Sequence, residues 1–330
     1  MDPIDHIEAD EYSALGSIPV MIVDAARFAR SPVSIQAVKI GVDAQGDLPL
    51  IDQALFDVLL TSVANAPAPW VSIAPSGLWQ AANGLAAMVR RSPIASTVLC
   101  QTLRITERLG FADAIIAESL AYSALLGGSE FGRWRDTRKR SDAPPTSGAP
   151  VIVQRHGDQI GLTLNDAAGR NAMTAEMRDA LYAALANVAD DPTCPIVTLN
   201  AAGRCFSTGG ALHEFGTADD LAAAHVVRTL HSCARLIGEL GDRVTVFLHG
   251  ACIGSGIELA AAAGHRIASP DAWFQLPELR MGLIPGAGGT ASVSQAIGRH
   301  RCAWLALSGK RISVHTALQW GLVHGIGTQP

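Results

Sequence analysis

The sequence has no surplus of positive charge, no paired cysteines, no metal-ligand spacing and no apolar run long enough to cross a bilayer. Each absence removes a class of function. Over 330 residues, 25 Lys and Arg stand against 30 Asp and Glu, a net charge of -5, whereas a nucleic-acid-binding face wants a basic balance. The six cysteines (Cys100, Cys194, Cys205, Cys233, Cys252 and Cys302) are dispersed without a C-x-x-C pair, which argues against a disulfide framework or a zinc ribbon. Cys205 and Cys252 read as small buried apolar residues. The ten histidines form no H-E-x-x-H spacing, so no metal site is expected. The acidic start MDPIDHIEADEY does not resemble a secretory leader, and the cytoplasm is the default expectation. GAGG at 286–289 lacks the Lys-Ser/Thr of a phosphate loop, and GSG at 254–256 has Ile253 where a serine-nucleophile elbow needs glycine.

What the chain has instead is glycine set into turns, 32 glycines in all. Val244 to Leu248 is a β-branched, apolar run that predicts a buried strand, and Gly250 to Gly256 is a turn tolerant of positive φ. SGIELAAAAG, from Ser255, then predicts a helix closed by Gly264. A strand, a glycine turn and a buried helix start leave N–H groups such as that of Ser255 where an oxyanion can sit. Glu258 has two readings here: a carboxyl group near that site, or the far half of an S-x-x-E capping box begun by Ser255. A second irregular loop contains Gly282, Pro285, Gly286, Gly288 and Gly289, with Glu278 just ahead of it. Alone, Glu278 reads first as a solvated loop residue. A third turn, GRCFSTGGALHEFG (203–216), follows a predicted strand at Ile196 to Leu199. Its N–H groups, from Thr208 onward, supply a second oxyanion donor or belong to an ordinary strand-to-helix loop.

Taken together, CFSTGGALHEF, GACIGSGIELA and FQLPELRMGLIPGAGGT resemble the three signature segments of the crotonase (enoyl-CoA hydratase/isomerase) superfamily, in order and in spacing. The resemblance runs over residues 150–330, opening with VIVQRHGDQIGLTLNDAAGRNAMTAEMRDAL, which is similar to the family's first hairpin and helix. It implies an α/β fold with a ββα spiral core and an acyl-CoA thioester substrate, with no cofactor beyond the CoA of the substrate. By position, the N–H groups of Thr208 and Ser255 would form the oxyanion hole, and Glu258 and Glu278 would be the catalytic glutamates. Ala168, Arg170, Gly209, Gly210 and Ala211 would join Thr208 and Ser255 in holding substrate. The chain departs from the family's pattern at Ala211, usually aspartate, at Ser255, usually glycine, and at His213, often lysine or arginine.

The ends depart further. Residues 78–140 look like the helices that end other family members: a helix, a proline break, a helix, and an acidic helix with a basic tail. Leu85, Met88 and Val89, then Leu103, Ile105 and Leu109, then Ile115, Ile116, Leu120 and Leu125 recur at helical spacing. This predicts a helical module placed ahead of the core instead of behind it, the alternative being an unrelated helical domain fused on the N-terminal side. RWRDTRKR (133–140) reads as a helix end or a contact for CoA phosphates. Residues 141–149 read as a Pro/Ser/Gly linker joining the module to the core at 150–330. Within residues 1–77, PVMIVDA, AVKIGVDA, FDVLLTSV and WVSIA predict short strands with a structural or interface role.

The resemblance implies hydration of a 2-enoyl-CoA, with Glu258 chiefly activating water and Glu278 delivering a proton to C2. Double-bond isomerisation, which needs one glutamate, is the alternative within the family. A non-catalytic acyl-CoA-binding subunit is the alternative outside enzymes, motivated by Ala211 and the rearranged ends. A homotrimer or hexamer is expected, with no nucleic-acid or membrane partner.

Overall fold

Four runs of valine, isoleucine and leucine open the fold as strands: β1 (Val20–Asp24), β2 (Val38–Asp43), β3 (Val58–Thr61) and β4 (Val71–Ser72). The computed structural model describes residues 9–28, 35–138 and 148–327. The expected linker lies outside these residues apart from Gly148 and Ala149. The four strands form one parallel sheet in chain order, with Ile40 opposite Val58 and Leu60 opposite Val71. A parallel sheet needs cover on both faces, and side chains alternate between two apolar clusters along the strands. Val38, Ile40, Val42, Val58 and Leu60 join the main core, while Met21, Val23 and Leu59 meet Phe56 and Trp70 on the other side.

Four helices follow: α1 (Leu78–Arg91), α2 (Pro93–Thr106), α3 (Phe111–Leu126) and α4 (Ser129–Asp136). Pro93 sits in the first turn of α2, where its missing N–H has no helical partner to lose. Leu85, Val89, Leu103, Ile115 and Leu125 are buried as their spacing predicts, but Ile105, Leu109, Ile116 and Leu120 face outward.

The rest of the chain winds between two sheets. The hairpin β5 (Val151–His156) and β6 (Gln159–Leu164) leads through α5 (Ala175–Ala189) to β7 (Ile196–Ala201). Then come α6 (Leu221–Leu230), α7 (Cys233–Leu240), β8 (Val244–Leu248), β9 (Ala251–Ile253), α8 (Ser255–Ala260), β10 (His265–Ala268) and β11 (Trp273–Gln275). The chain ends with α9 (Gly289–Ile297), α10 (Arg299–Ser308), β12 (Ile312–Ser313), α11 (Val314–Trp320) and β13 (Gly325–Ile326). The larger sheet has the order β13-β10-β8-β7-β6-β5, and the smaller β12-β11-β9. From β8 onward the chain visits the large sheet, the small one, the large and the small again, which is a spiral of strand, turn and strand.

The helix from Ser255 is shorter than its alanines predict. It ends at Ala260, because the buried Arg266 guanidinium accommodates the carbonyls of Ala261 and Ala263, at 3.3 and 2.5 Å, and draws the chain into β10. A positive side chain at the last carbonyls of a helix satisfies groups that have no helical partner.

The N-terminal elements pack on the spiral within one chain. α1 rests on α10, α2 on α9 and α10, α3 on α6 and α9. Three successive polar residues of α10 are buried and reach the N-terminal segment. Arg299 donates to the carbonyls of Phe56 and Gln53 at 2.8 and 3.0 Å, His300 meets Gln53 O at 3.0 Å, and Arg301 donates to Ala66 and Trp70 at 2.9 and 3.1 Å. Phe56, Ala66 and Trp70 are buried, so the arginines satisfy carbonyls there that lie away from water.

Candidate active site

Two glycine turns meet backbone to backbone. Ser207 N–H donates to Ala251 O at 3.1 Å and Ile253 N–H to Ser207 O at 3.0 Å. A Cβ on Gly209 would lie 3.0 Å from Ile253 O, and one on Gly256 2.9 Å from Ser207 Cβ, so only glycine permits this approach. The contact brings Thr208 and Ser255, distant in sequence, to one side of a cavity of about 1760 Å³. Ser255 N–H meets no acceptor among the described residues, and its buried hydroxyl is likewise unpartnered. Thr208 N–H donates to Arg170 O at 3.2 Å, the long end of a hydrogen bond. Arg170 holds φ +57°, followed by Asn171 at +50°, and buried Asn171 pins this turn through Ala202 O at 2.8 Å.

Glu258 and Glu278 converge above Gly254. A Cβ on that residue would lie 2.6 Å from Glu278 Oε1 and 3.8 Å from Glu258 Oε1, so both carboxyl groups lie within 3.8 Å of one point. Gly254 itself has φ +50°. Glu278 opens a short 3-10 turn after Pro277 and is 8% exposed, so the solvated-loop reading gives way to burial beside a second carboxyl group. Its Oε2 has no hydrogen-bond partner among the described residues. The capping-box reading of Glu258 also fails. Its Oε2 accepts from Ala287 N–H at 2.7 Å and Gly289 N–H at 3.1 Å, away from the start of its own helix.

A third buried glutamate, Glu118 of α3, grips the same loop. It accepts from Gly288 N–H at 2.6 Å, Thr290 N–H at 2.6 Å and the Thr290 hydroxyl at 2.7 Å. Sequence reasoning did not single it out, although its position is one turn from Ile115 and Tyr122 on the inward stripe of a helix. A charged residue on a buried stripe was the available signal.

Burial dominates the acid–base behaviour of all three. It pushes Glu258 up to about 7, against the pull of the Ala287 and Gly289 N–H groups. It pushes Glu118 up to about 8, with the charge of Glu258 adding to the effect. Glu278 is held well above the usual carboxylate range by burial and then by the charges of Glu258 and Glu118. Near neutral pH this favours a proton on Glu278 while Glu258 can lose its own.

The remaining expected substrate residues divide. Gly209 and Gly210 line the cavity with Thr208 and Ser255. Ala211 is buried behind them, and Ala168 and Arg170 are exposed on the turn at 166–171, outside the cavity lining. Arg135 and Arg138, from the basic run, lie on the cavity wall near Trp134, with Arg138 stacked 4.9 Å from its ring.

A spiral alternating between two sheets, with facing glycine turns over a carboxyl pair, defines a crotonase-type α/β fold. Residues 158–329 match the family described as Enoyl-CoA hydratase/isomerase, and the chain belongs to that family. It is similar to the 2,3-dehydroadipyl-CoA hydratase of Escherichia coli (strain K12), 31% identical over 53% of this chain and 68% of the relative. It is also similar to the 1,2-epoxyphenylacetyl-CoA isomerase of the same organism, 33% identical over 49% of this chain and 63% of the relative. Among solved structures, the enoyl-CoA hydratase from Thermoplasma volcanium GSS1 superposes with a TM-score of 0.50 at 30% identity, covering 55% of this chain and 73% of that one. Hydratase and isomerase names thus both occur among the relatives.

Proposed function

We propose that the chain hydrates a 2-enoyl-CoA thioester to the 3-hydroxyacyl-CoA. The observation that carries this reading is the convergence of Glu258 and Glu278 on one point above Gly254, with environments that separate their protonation states. The thioester oxygen lies against the N–H groups of Ser255 and Thr208, the latter exchanging its long bond to Arg170 O for the developing oxyanion. Glu258 ionised takes a proton from a water as its oxygen bonds to C3. The C2=C3 pair shifts to the enolate, and Glu278 protonated gives its proton to C2. The elements of water are then added, and a proton passes from Glu258 to Glu278 to reset the pair. Isomerisation would need only a proton shuttle, and a second carboxyl group at the same point has no task in it.

The helices of residues 78–136 fit the proposal that the family's terminal module stands ahead of the core here, since α3 supplies Glu118 to the loop beside Glu258. Self-association is proposed as well. Ile116 and Leu120 on α3 and Val226 and Leu230 on the adjoining α6 are 44%, 55%, 58% and 56% exposed, an apolar face that a second copy would cover. Mass measurement in solution tests that.

Ultraviolet absorbance of the conjugated thioester tests the reaction. Hydration removes the chromophore and yields a product carrying oxygen from solvent. Substrate consumption without solvent oxygen in the product would favour isomerisation.

A further inference from the structure

Arg228, on α6, faces the same cavity as the carboxyl pair. Its Nη1 donates to Ser119 Oγ at 2.8 Å, Ser123 Oγ at 3.1 Å and Ser119 O at 3.3 Å. Its guanidinium stands 4.7 Å over the ring of Tyr122. Nε and Nη2 have no acceptor among the described residues, and no described carboxylate comes within ion-pairing distance. Arg178 pairs with Asp179 at 2.7 Å and Arg280 donates to Gly309 O at 3.0 Å, while Arg135 and Arg138 on the same wall are exposed to solvent. A partly buried cation without a counter-ion pays for its desolvation unless a ligand supplies the anion.

The position of this cation is also informative. A Cβ on Gly286 would lie 2.5 Å from the Tyr122 ring, so the ring that carries the guanidinium also touches the loop held by Glu258. Nε–H and Nη2–H form one edge of the guanidinium fork, whose two parallel donors match the two oxygens of a carboxylate. Nη1, on the far corner, is the nitrogen already tied down by the serines.

We propose that Arg228, seated on Tyr122, binds a carboxylate at the distal end of the acyl group, so that the preferred substrates are CoA thioesters of dicarboxylic acids. This rests on the acyl-CoA reading above. An arginine that merely ties α6 to α3 would need its serine contacts but no open edge.

Equilibrium binding separates the two roles. A series of saturated acyl-CoA thioesters of increasing length, each with and without a terminal carboxylate, is titrated against the full chain, the Arg228→Met variant and the Arg228→Lys variant. At one chain length the carboxylate-ended member binds the unaltered protein about tenfold or more tighter than its alkyl partner, the scale of a charge-assisted pair. Arg228→Met removes that advantage and leaves alkyl-ended affinity within about twofold, while Arg228→Lys retains a smaller preference. Equal affinity for both members at every length in the unaltered protein overturns the proposal, and this arm needs no variant to fold. Equal weakening of both members by Arg228→Met also overturns it and assigns the residue to helix packing. A binding preference without turnover of the matching enoyl thioesters sinks the hydratase reading and leaves the carboxylate subsite standing. No binding of any CoA thioester sinks both.

Discussion

Glu118 and Glu258 hold alternate N–H groups of a single loop, Glu258 taking Ala287 and Gly289 while Glu118 takes Gly288 and Thr290. One glutamate comes from the spiral and the other from a helix more than a hundred residues earlier in the chain. The loop that orients Glu258 therefore has its shape set by both halves of the molecule.

Replacing Glu118 by Gln puts an amide N–H against a backbone N–H, so the loop loses at least one bond and shifts. Expected is a fall in kcat/KM of about tenfold to a hundredfold, mainly in kcat, since second partners of this kind typically act at that scale. A charge effect accompanies it. Glu118 helps to hold the Glu278 proton, so its neutralisation moves the alkaline limb of the pH–rate profile to lower pH. A purely structural role would lower the profile without moving that limb.

The unaltered protein should show a bell-shaped dependence of kcat/KM on pH. The rising limb lies at about 7, where Glu258 loses its proton, and the falling limb where Glu278 loses the proton that burial holds above the usual range. Stability follows the opposite course. Carboxyl groups with raised folded-state values stabilise fully below their unfolded value of 4.5, and the contribution is lost as pH rises through about 7 to 8. Thermal unfolding of Glu278→Gln at pH 8 should thus occur at a higher temperature than that of the unaltered protein, with activity lost.

Gly254 has to be glycine for two reasons, a φ of +50° and a Cβ that would come 2.6 Å from Glu278 Oε1. Gly254→Ala is expected to reduce kcat/KM by about a hundredfold, the cost of displacing a reacting group by an ångström. Melting temperature measured alongside distinguishes a displaced carboxyl group from an unfolded chain.

Arg301 holds the N-terminal segment to α10 through Ala66 O and Trp70 O. Arg301→Met leaves both buried carbonyls without their donors and should cost about 2 kcal/mol or more, read by denaturant midpoint. Neighbouring His300, pushed down to about 4 chiefly by burial and then by Arg299, stays neutral at physiological pH. Its folded value lies below the unfolded 6.5, so its contribution is present above 6.5 and is lost as pH falls through about 4.

The sequence carried the spiral well, because its glycine turns follow β-branched strands in a fixed order and each turn needs positive φ. It carried the four N-terminal strands as strands, but their parallel pairing was hidden, since no α-helix among the described residues connects one to the next. Thr208 and Ser255 were legible as residues of glycine turns, and the structure brings those turns together at the cavity. Glu258 was ambiguous by sequence, because a glutamate three residues after a serine reads the same whether it caps its helix or reaches Ala287. Glu118 and Arg228 were missed for a common reason. Each lies on a helix whose partners are far along the chain, and helical spacing reports which face is buried without reporting what it meets.

The most direct measurement is hydration of a 2-enoyl-CoA in labelled water by the unaltered protein and by Glu258→Gln and Glu278→Gln. The account predicts loss of the conjugated absorbance, solvent oxygen at C3 of the product, and a fall of about a hundredfold or more in kcat for each variant. Turnover that survives either substitution, or product without solvent oxygen, would contradict it.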